Sequence, residues 1–96
     1  MTQRFKHIEN TIIEIFDNTI AYIELSRKSI IKYSEELNDT IIIDLDNDNY
    51  IVGVELLSID NIPDIKNIID SNLIKDNEYD KLEKSLEFLK NYKNKF

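Results

Sequence analysis

The chain changes its hydrophobic rhythm near residue 60. Before that point apolar residues fall in short β-branched runs; after it they recur at every third or fourth position. "TIIEIF" (11–16) reads as a strand, and "DN" (17–18) reads as the turn that ends it. "TIAYIEL" (19–25) alternates, with Ile20, Tyr22 and Glu24 on one side and Ala21, Ile23 and Leu25 on the other. A polar connection, "SRKS" (26–29), leads to a weaker strand, "IIKYSEEL" (30–37), whose Glu35 and Glu36 suit an exposed end. After "ND" (38–39) come "TIIIDL" (40–45) and "YIVGVELL" (50–57).

The last third follows a helical period. In 62–73, Ile62, Ile65, Ile69 and Leu73 recur at spacings of three and four, with Pro63 in the first turn and Asp60 or Asn61 as N-cap. In 78–96, Tyr79, Leu82, Leu86 and Leu89 form a stripe that Phe88 and Tyr92 widen. Asp76 or Asn77 can cap its start, Lys90, Lys93 and Lys95 suit its end, and Asp80 and Lys84 form an i,i+4 pair. Gly and Pro occur once each, so no linker divides the chain. The expected fold is α+β: one domain over 1–96, with an antiparallel meander of about five strands (11–58) and a helical tail (61–96) whose two helices pack on one face. Residues 1–10 fit a short helix or a loose arm equally well.

The stretch "DLDNDNYIVGVE" (44–55) nearly spells a calcium loop, D-x-[DN]-x-[DN]-G-x5-E. Asp44, Asp46, Asp48 and Glu55 would be the ligands, and Asn49 stands where the loop needs glycine. The flanks argue otherwise. Such a loop lies between two helices, whereas here β-branched runs precede and follow it. A hairpin accounts for both flanks, with Asn47 and Asp48 in a type I turn and Asn49 in the left-handed position after it. A three-residue loop pairs Asp46 with Tyr50, Asp44 with Val52 and Ile42 with Val54. That register sends Asp44 and Glu55 to opposite faces. It also places Ile42, Val52, Val54 and Leu56 on one face, with Ile41, Ile43, Leu45, Ile51 and Leu57 on the other. Two apolar faces call for two covers: the helices, and either the N-terminal arm (Phe5, Ile8) or the second subunit of a homodimer.

Net charge is −7, from 19 acidic and 12 basic residues. This balance disfavours nucleic acid and anionic membrane surfaces, which are bound by Lys and Arg, and is compatible with a basic protein partner. With no cysteine, disulfides, thiolate nucleophiles and Cys-based zinc sites are excluded. "MTQRFKHIEN" has no signal-type apolar core, and no apolar run nears the ~20 residues of a membrane span, so a soluble cytoplasmic protein is expected. No catalytic residue and no cofactor stands out. His7 lies in a polar stretch, the serines lack a nucleophile elbow, and there is no Gly-rich phosphate loop. Gly53 mid-strand marks a packing site under a helix or Tyr50, and Tyr22 and Tyr33 read as core residues before they read as partner anchors.

"FDNTIAYIEL" followed by "DTIIIDLDNDNYIVGVELLS" resembles a small bacterial family, domain of unknown function 2283. Phe16–Asp17 and Ala21–Tyr22–Ile23 match the first part of its pattern. Asp44, Asp46, Gly53, Val54, Glu55, Leu56 and Leu57 match the second. A shorter first turn, Phe16 for tyrosine and Asn49 for the turn glycine depart from it. The resemblance spans roughly 11–58 and implies a small meander with a following helix and no assigned enzyme activity. It also implies an antitoxin role by association, since some relatives look like neighbours of ribonuclease-like toxins. Three functions follow as expectations. The first is a non-enzymatic module of antitoxin, immunity or anti-defence type, meeting a basic protein through Glu35, Glu36, Asp44, Asp46 and Asp48. The alternatives are a metal-binding or metal-regulated protein using 44–55, or a purely structural homodimer.

Overall fold

The computed structural model describes residues 3–25, 30–70 and 72–92. Six strands form one antiparallel sheet: β1 (Gln3–Ile8), β2 (Thr11–Phe16), β3 (Ile20–Glu24), β4 (Tyr33–Asn38), β5 (Ile41–Leu45) and β6 (Ile51–Leu56). Two helices follow, α1 (Ile65–Ile69) and α2 (Asp76–Tyr92). The α+β architecture agrees with the hydrophobic pattern, with one strand more than expected. Strand order is β1-β2-β3-β6-β5-β4, so the sheet is two three-stranded meanders joined where β3 pairs with β6. The connection after β3 therefore crosses to the far edge; its residues 26–29, the "SRKS" segment, lie outside the described residues.

Residues 3–8 are neither helix nor arm but the edge strand β1, paired with β2 from Gln3↔Phe16 to Ile8↔Thr11. Hydrophobic alternation could not reveal it, because five of its six residues are exposed and only Ile8 packs on the core. Its basis is the outer row of β2 backbone groups, which needs partners. The other edge, β4, is likewise polar and begins only at Tyr33. Ile30 and Ile31, expected within it, precede it and are exposed. Charged edges of this kind discourage pairing with other chains.

The turns follow local chemistry. Asp17 and Asn18 both have positive φ, 51° and 56°, and Thr19 N–H donates to Phe16 O at 3.0 Å, closing a tight hairpin. At the β5–β6 turn Asn49 has φ 65°, the left-handed position expected for it. Asp46 Oδ1 accepts from the N–H groups of Asp48 and Tyr50 at 2.9 and 3.0 Å, which fastens this turn from inside.

Beyond the turn the hairpin register departs from expectation. Leu45 pairs with Ile51, but Asp44 pairs with Gly53, Ile43 with Val54 and Ile42 with Glu55. Val52 is therefore an extra residue in β6, a β-bulge, and every later β6 side chain changes sides. Val54 and Leu56 turn inward to join Ile41, Ile43, Leu45 and Ile51 in one buried cluster. Glu55 turns outward.

Both helices lie on one face. Ile13, Ile15, Ala21, Ile23 and the inward residues of β5 and β6 meet Ile65 and Ile68 of α1 and Leu82, Leu86, Leu89 and Tyr92 of α2. The α2 stripe is as its spacing indicates, and Tyr92 Oη donates to Asn18 Oδ1 at 2.7 Å, anchoring the helix to the β2–β3 turn. Lys84 Nζ sits 3.8 Å from Glu9 Oε1, across to β1's turn, rather than serving Asp80. Lys93 and Lys95 lie outside the described residues.

Helix α1 is shorter than its periodicity suggested. Pro63 precedes it, and Asp64 rather than Asp60 or Asn61 is the N-cap residue, with extended backbone (φ −75°, ψ 150°). Leu73 is not helical: it bridges Tyr50 in parallel, and its carbonyl accepts Ile51 N–H at 2.8 Å. Strand β3 ends at Glu24, opposite Gly53, so Ile51 needs this substitute acceptor on that side. Lys90 Nζ ties α2 to Asp64 Oδ1 at 2.7 Å.

Ile43 is fully buried at the centre of the cluster. Ile43→Ala should cost about 2–5 kcal/mol in urea denaturation; a loss under 1 kcal/mol would mean that this strand is not central.

Candidate functional site

The sheet face away from the helices is open, and its composition is set by strand alternation plus the Val52 bulge. Cross-strand pairing builds two rows across it. One runs Phe5, Glu14, Tyr22, Glu55, Ile42, Glu36, and the next runs His7, Ile12, Glu24, Gly53, Asp44, Ser34. Glu14, Tyr22, Glu24, Glu55, Ile12, Ile42 and Asp44 are all half-buried. Carboxylates from five positions (Glu14, Glu24, Glu36, Asp44, Glu55) thus share one face with apolar side chains between them. No Lys or Arg stands in either row. Arg4 and Lys6 of β1 pair with Ile15 and Ile13 and so lie on the helix side, Lys6 Nζ resting 5.6 Å from the Phe88 ring centroid.

A hydrogen-bonded chain crosses the middle of this face. Tyr22 Oη donates to Asp44 Oδ2 at 2.6 Å, and Ser34 Oγ donates to Asp44 Oδ1 at 2.6 Å. Tyr22 reaches Asp44 by lying across Gly53. A methyl group placed on Gly53 would collide with Tyr22 Oη and lie 2.8 Å from its Cζ. The mid-strand glycine therefore serves Tyr22, not a helix or Tyr50, and it is buried on an otherwise open face because that ring covers it. Tyr22 itself is half-buried outside the core cluster. Burial pushes its phenol well above the ordinary value, and the Asp44 carboxylate adds to the shift, followed by Glu24 and Glu55.

The sequence-derived candidates divide. Glu36 and Asp44 reach the open face, whereas Glu35 pairs with Ile43 and so points to the helix side of the β4 edge. Asp46 caps the turn with one oxygen, and Asp48 is exposed beside it. The bulge corrects the expectation for Asp44 and Glu55: they share a face, because Glu55 pairs with Ile42 and not with Ile41. Among the described residues no group of three or more His, Asp or Glu side chains is arranged to hold a metal ion. Tyr33, expected in the core, is exposed at the edge and donates to Asn49 Oδ1 at 2.5 Å. Glu14 and Glu24 were not singled out in the sequence, although each occupies the outward position of an alternating strand.

One further carboxylate stands apart from the face. Glu78, in the first turn of α2, is buried with Oε2 unpartnered among the described residues. Burial raises its pKa, and Asp46 adds to this, while Lys75 and Lys81 oppose it.

A sheet covered by helices on one side and acidic on the other defines a small α+β domain with one free sheet face. Residues 16–59 match the model of the family described as "Protein of unknown function (DUF2283)", in agreement with the resemblance in the chain's motifs. The match takes in Tyr22, Glu24, Asp44, Gly53 and Glu55, and leaves out β1, most of β2 and both helices. Searches of curated proteins and of solved structures gave no match. No helix among the described residues is long and apolar enough to cross a membrane.

The geometry makes two outcomes measurable. Gly53→Ala should destabilise the fold by displacing Tyr22, and adding it to Tyr22→Ala should cost much less than adding it to the wild type; strict additivity would refute the contact. Because the folded-state pKa of Tyr22 exceeds the unfolded value of about 10, the folded state holds this proton more tightly. Its contribution is intact below pH 10 and is lost as pH rises above it. Urea midpoints should therefore fall more steeply above pH 10 in the wild type than in Tyr22→Phe.

Proposed function

We propose that this protein is a non-enzymatic binding module whose open sheet face docks a basic protein. The observation that carries this reading is the pair of face rows, with carboxylates at Glu14, Glu24, Glu36, Asp44 and Glu55 and no Lys or Arg among them. Like charges gathered on a half-buried surface repel one another, and an incoming cationic surface relieves that repulsion. Ile12 and Ile42 between them supply the apolar contact a docked partner needs. The same charge argues against a second copy as the cover, because face-to-face pairing would set two such arrays against each other.

The hydroxyls and carboxylates here also favour binding over catalysis. Ser34 donates to Asp44, Ser85 Oγ donates to Lys81 O at 2.7 Å, and Asp44 accepts from two donors, so each is held in a structural bond. An antitoxin, immunity or anti-defence role is the biological form such a module would take. Its partner would be a cationic protein, its location the cytoplasm, and its mode of action occlusion of a basic surface.

The test is capture from native lysate with three baits. The wild type and a helix-side control, Glu83→Lys/Glu87→Lys, should retain the same basic protein, and Glu24→Lys/Glu55→Lys should lose it by at least about tenfold. A captured protein that the face variant holds as well as the wild type would refute the face as the docking surface, as would a captured protein of acidic character.

A further inference from the structure

The open face is not uniform. At the β1 side it sinks into a hollow of about 170 Å³, lined by Phe5, His7, Ile12, Glu14, Tyr22 and Glu24. This is room for one side-chain head, well below the ~300–1,000 Å³ of pockets for drug-sized ligands. Glu14 lies between Phe5 and Tyr22 in one row, and Ile12 lies between His7 and Glu24 in the next. The two glutamates are diagonal neighbours, so their Cβ atoms are on the order of 7 Å apart. Gln3 Nε2 donates to Glu14 Oε2, which fixes that carboxylate in place. Tyr22 commits its hydroxyl to Asp44, so what it offers the hollow is its ring.

We infer that this hollow seats an arginine side chain of the basic partner; the inference rests on the docking role proposed above and narrows it to one anchor. Arginine fits the lining better than lysine does. Its planar, weakly hydrated guanidinium stacks on aromatic rings and bonds two carboxylates through separate N–H edges, whereas a lysine ammonium is compact and strongly hydrated. Phe5 is 58% exposed, so its ring is open to stacking by a docked side chain. The two carboxylates have no cation beside them in the rows. The contrast with the groove between the helices is instructive. That groove is larger, about 550 Å³, but lines Lys66, Lys84 and Lys90 against Asp64, Glu83 and Glu87, and Lys90 is already joined to Asp64. Its charges cancel within the chain and select no partner. Those of the hollow do not.

The test uses three short capped peptides, Gly-Arg-Gly, Gly-Lys-Gly and Gly-citrulline-Gly, titrated into the labelled full chain and followed by amide NMR. The arginine peptide should shift resonances of residues 5–7, 12–14 and 22–24 in a saturable way. The lysine peptide should bind at least about threefold more weakly, and the uncharged citrulline peptide should give no saturable shift. Glu14→Gln/Glu24→Gln should weaken the arginine peptide by about tenfold, as expected for losing two partly exposed ion pairs. An unchanged urea midpoint in that variant shows that it still folds, and Phe5→Leu, at an exposed position, is a second variant expected to weaken arginine more than lysine. Shifts spread evenly over the face, equal affinity for arginine and lysine, or an unaltered response in the Gln variant would each overturn the inference. Should the face variant Glu24→Lys/Glu55→Lys lose the lysate partner while arginine leaves the hollow untouched, docking stands and the arginine anchor falls. Arginine binding in the hollow with no face-dependent capture would support the anchor and refute the wider role.

Discussion

One extra residue governs the open face. Opposite β5, β6 accommodates Val52 as a bulge between the Leu45↔Ile51 and Asp44↔Gly53 pairs. Without it, strand alternation would bury Glu55 with the core and push Val54 and Leu56 into solvent. With it, β6 satisfies two demands at once. Ile51, Val54 and Leu56 complete the apolar layer beneath the helices, and Gly53 and Glu55 come up beside Asp44 and Tyr22. The Tyr22–Gly53–Asp44 arrangement is thus a product of register, and register is fixed by the burial of the other side of the strand.

Much of the fold was legible in the chain because local chemistry and burial agreed. β2, β3, β5 and β6 announce themselves by β-branched alternation, and the stripe of Leu82, Leu86 and Leu89 announces α2. Asp46 and Asn49 also did what their types allow: one side chain caps backbone N–H groups and one backbone turns left-handed. What escaped was non-local. β1 lacks an apolar face, since this edge strand meets α2 mainly through the charged side chain of Lys6 and buries little beyond Ile8. The joining of β3 to β6 leaves no mark in either strand. A bulge needs no special residue, so Val52 looks like any other strand valine.

The site was partly legible for the same reason. Asp44 stands out by its place in an acidic run, but its company depends on a one-residue bulge that the run does not encode. Alternation alone places Tyr22 and Glu24 together on one side of β3. Joining them to Glu14 and to Asp44 required two pairings, β2 with β3 and β3 with β6, that only the assembled sheet supplies. The helices, by contrast, influence the face only indirectly, by deciding which side of each strand is inside.

The segregation of charge across the sheet has a consequence at distances far beyond contact. The carboxylates in the rows of the open face stand without cations among them, whereas on the other side Arg4, Lys6, Lys66, Lys81, Lys84 and Lys90 are mixed with acids such as Asp64, Glu83 and Glu87 and largely balance them. The domain therefore carries an electric dipole roughly normal to its sheet. In the field of a cationic body such a molecule feels a torque before it feels a contact, and it turns its uncovered side forward as it approaches. Ionic strength would then govern how often an encounter begins in a productive orientation, quite apart from how tightly the pair holds once formed.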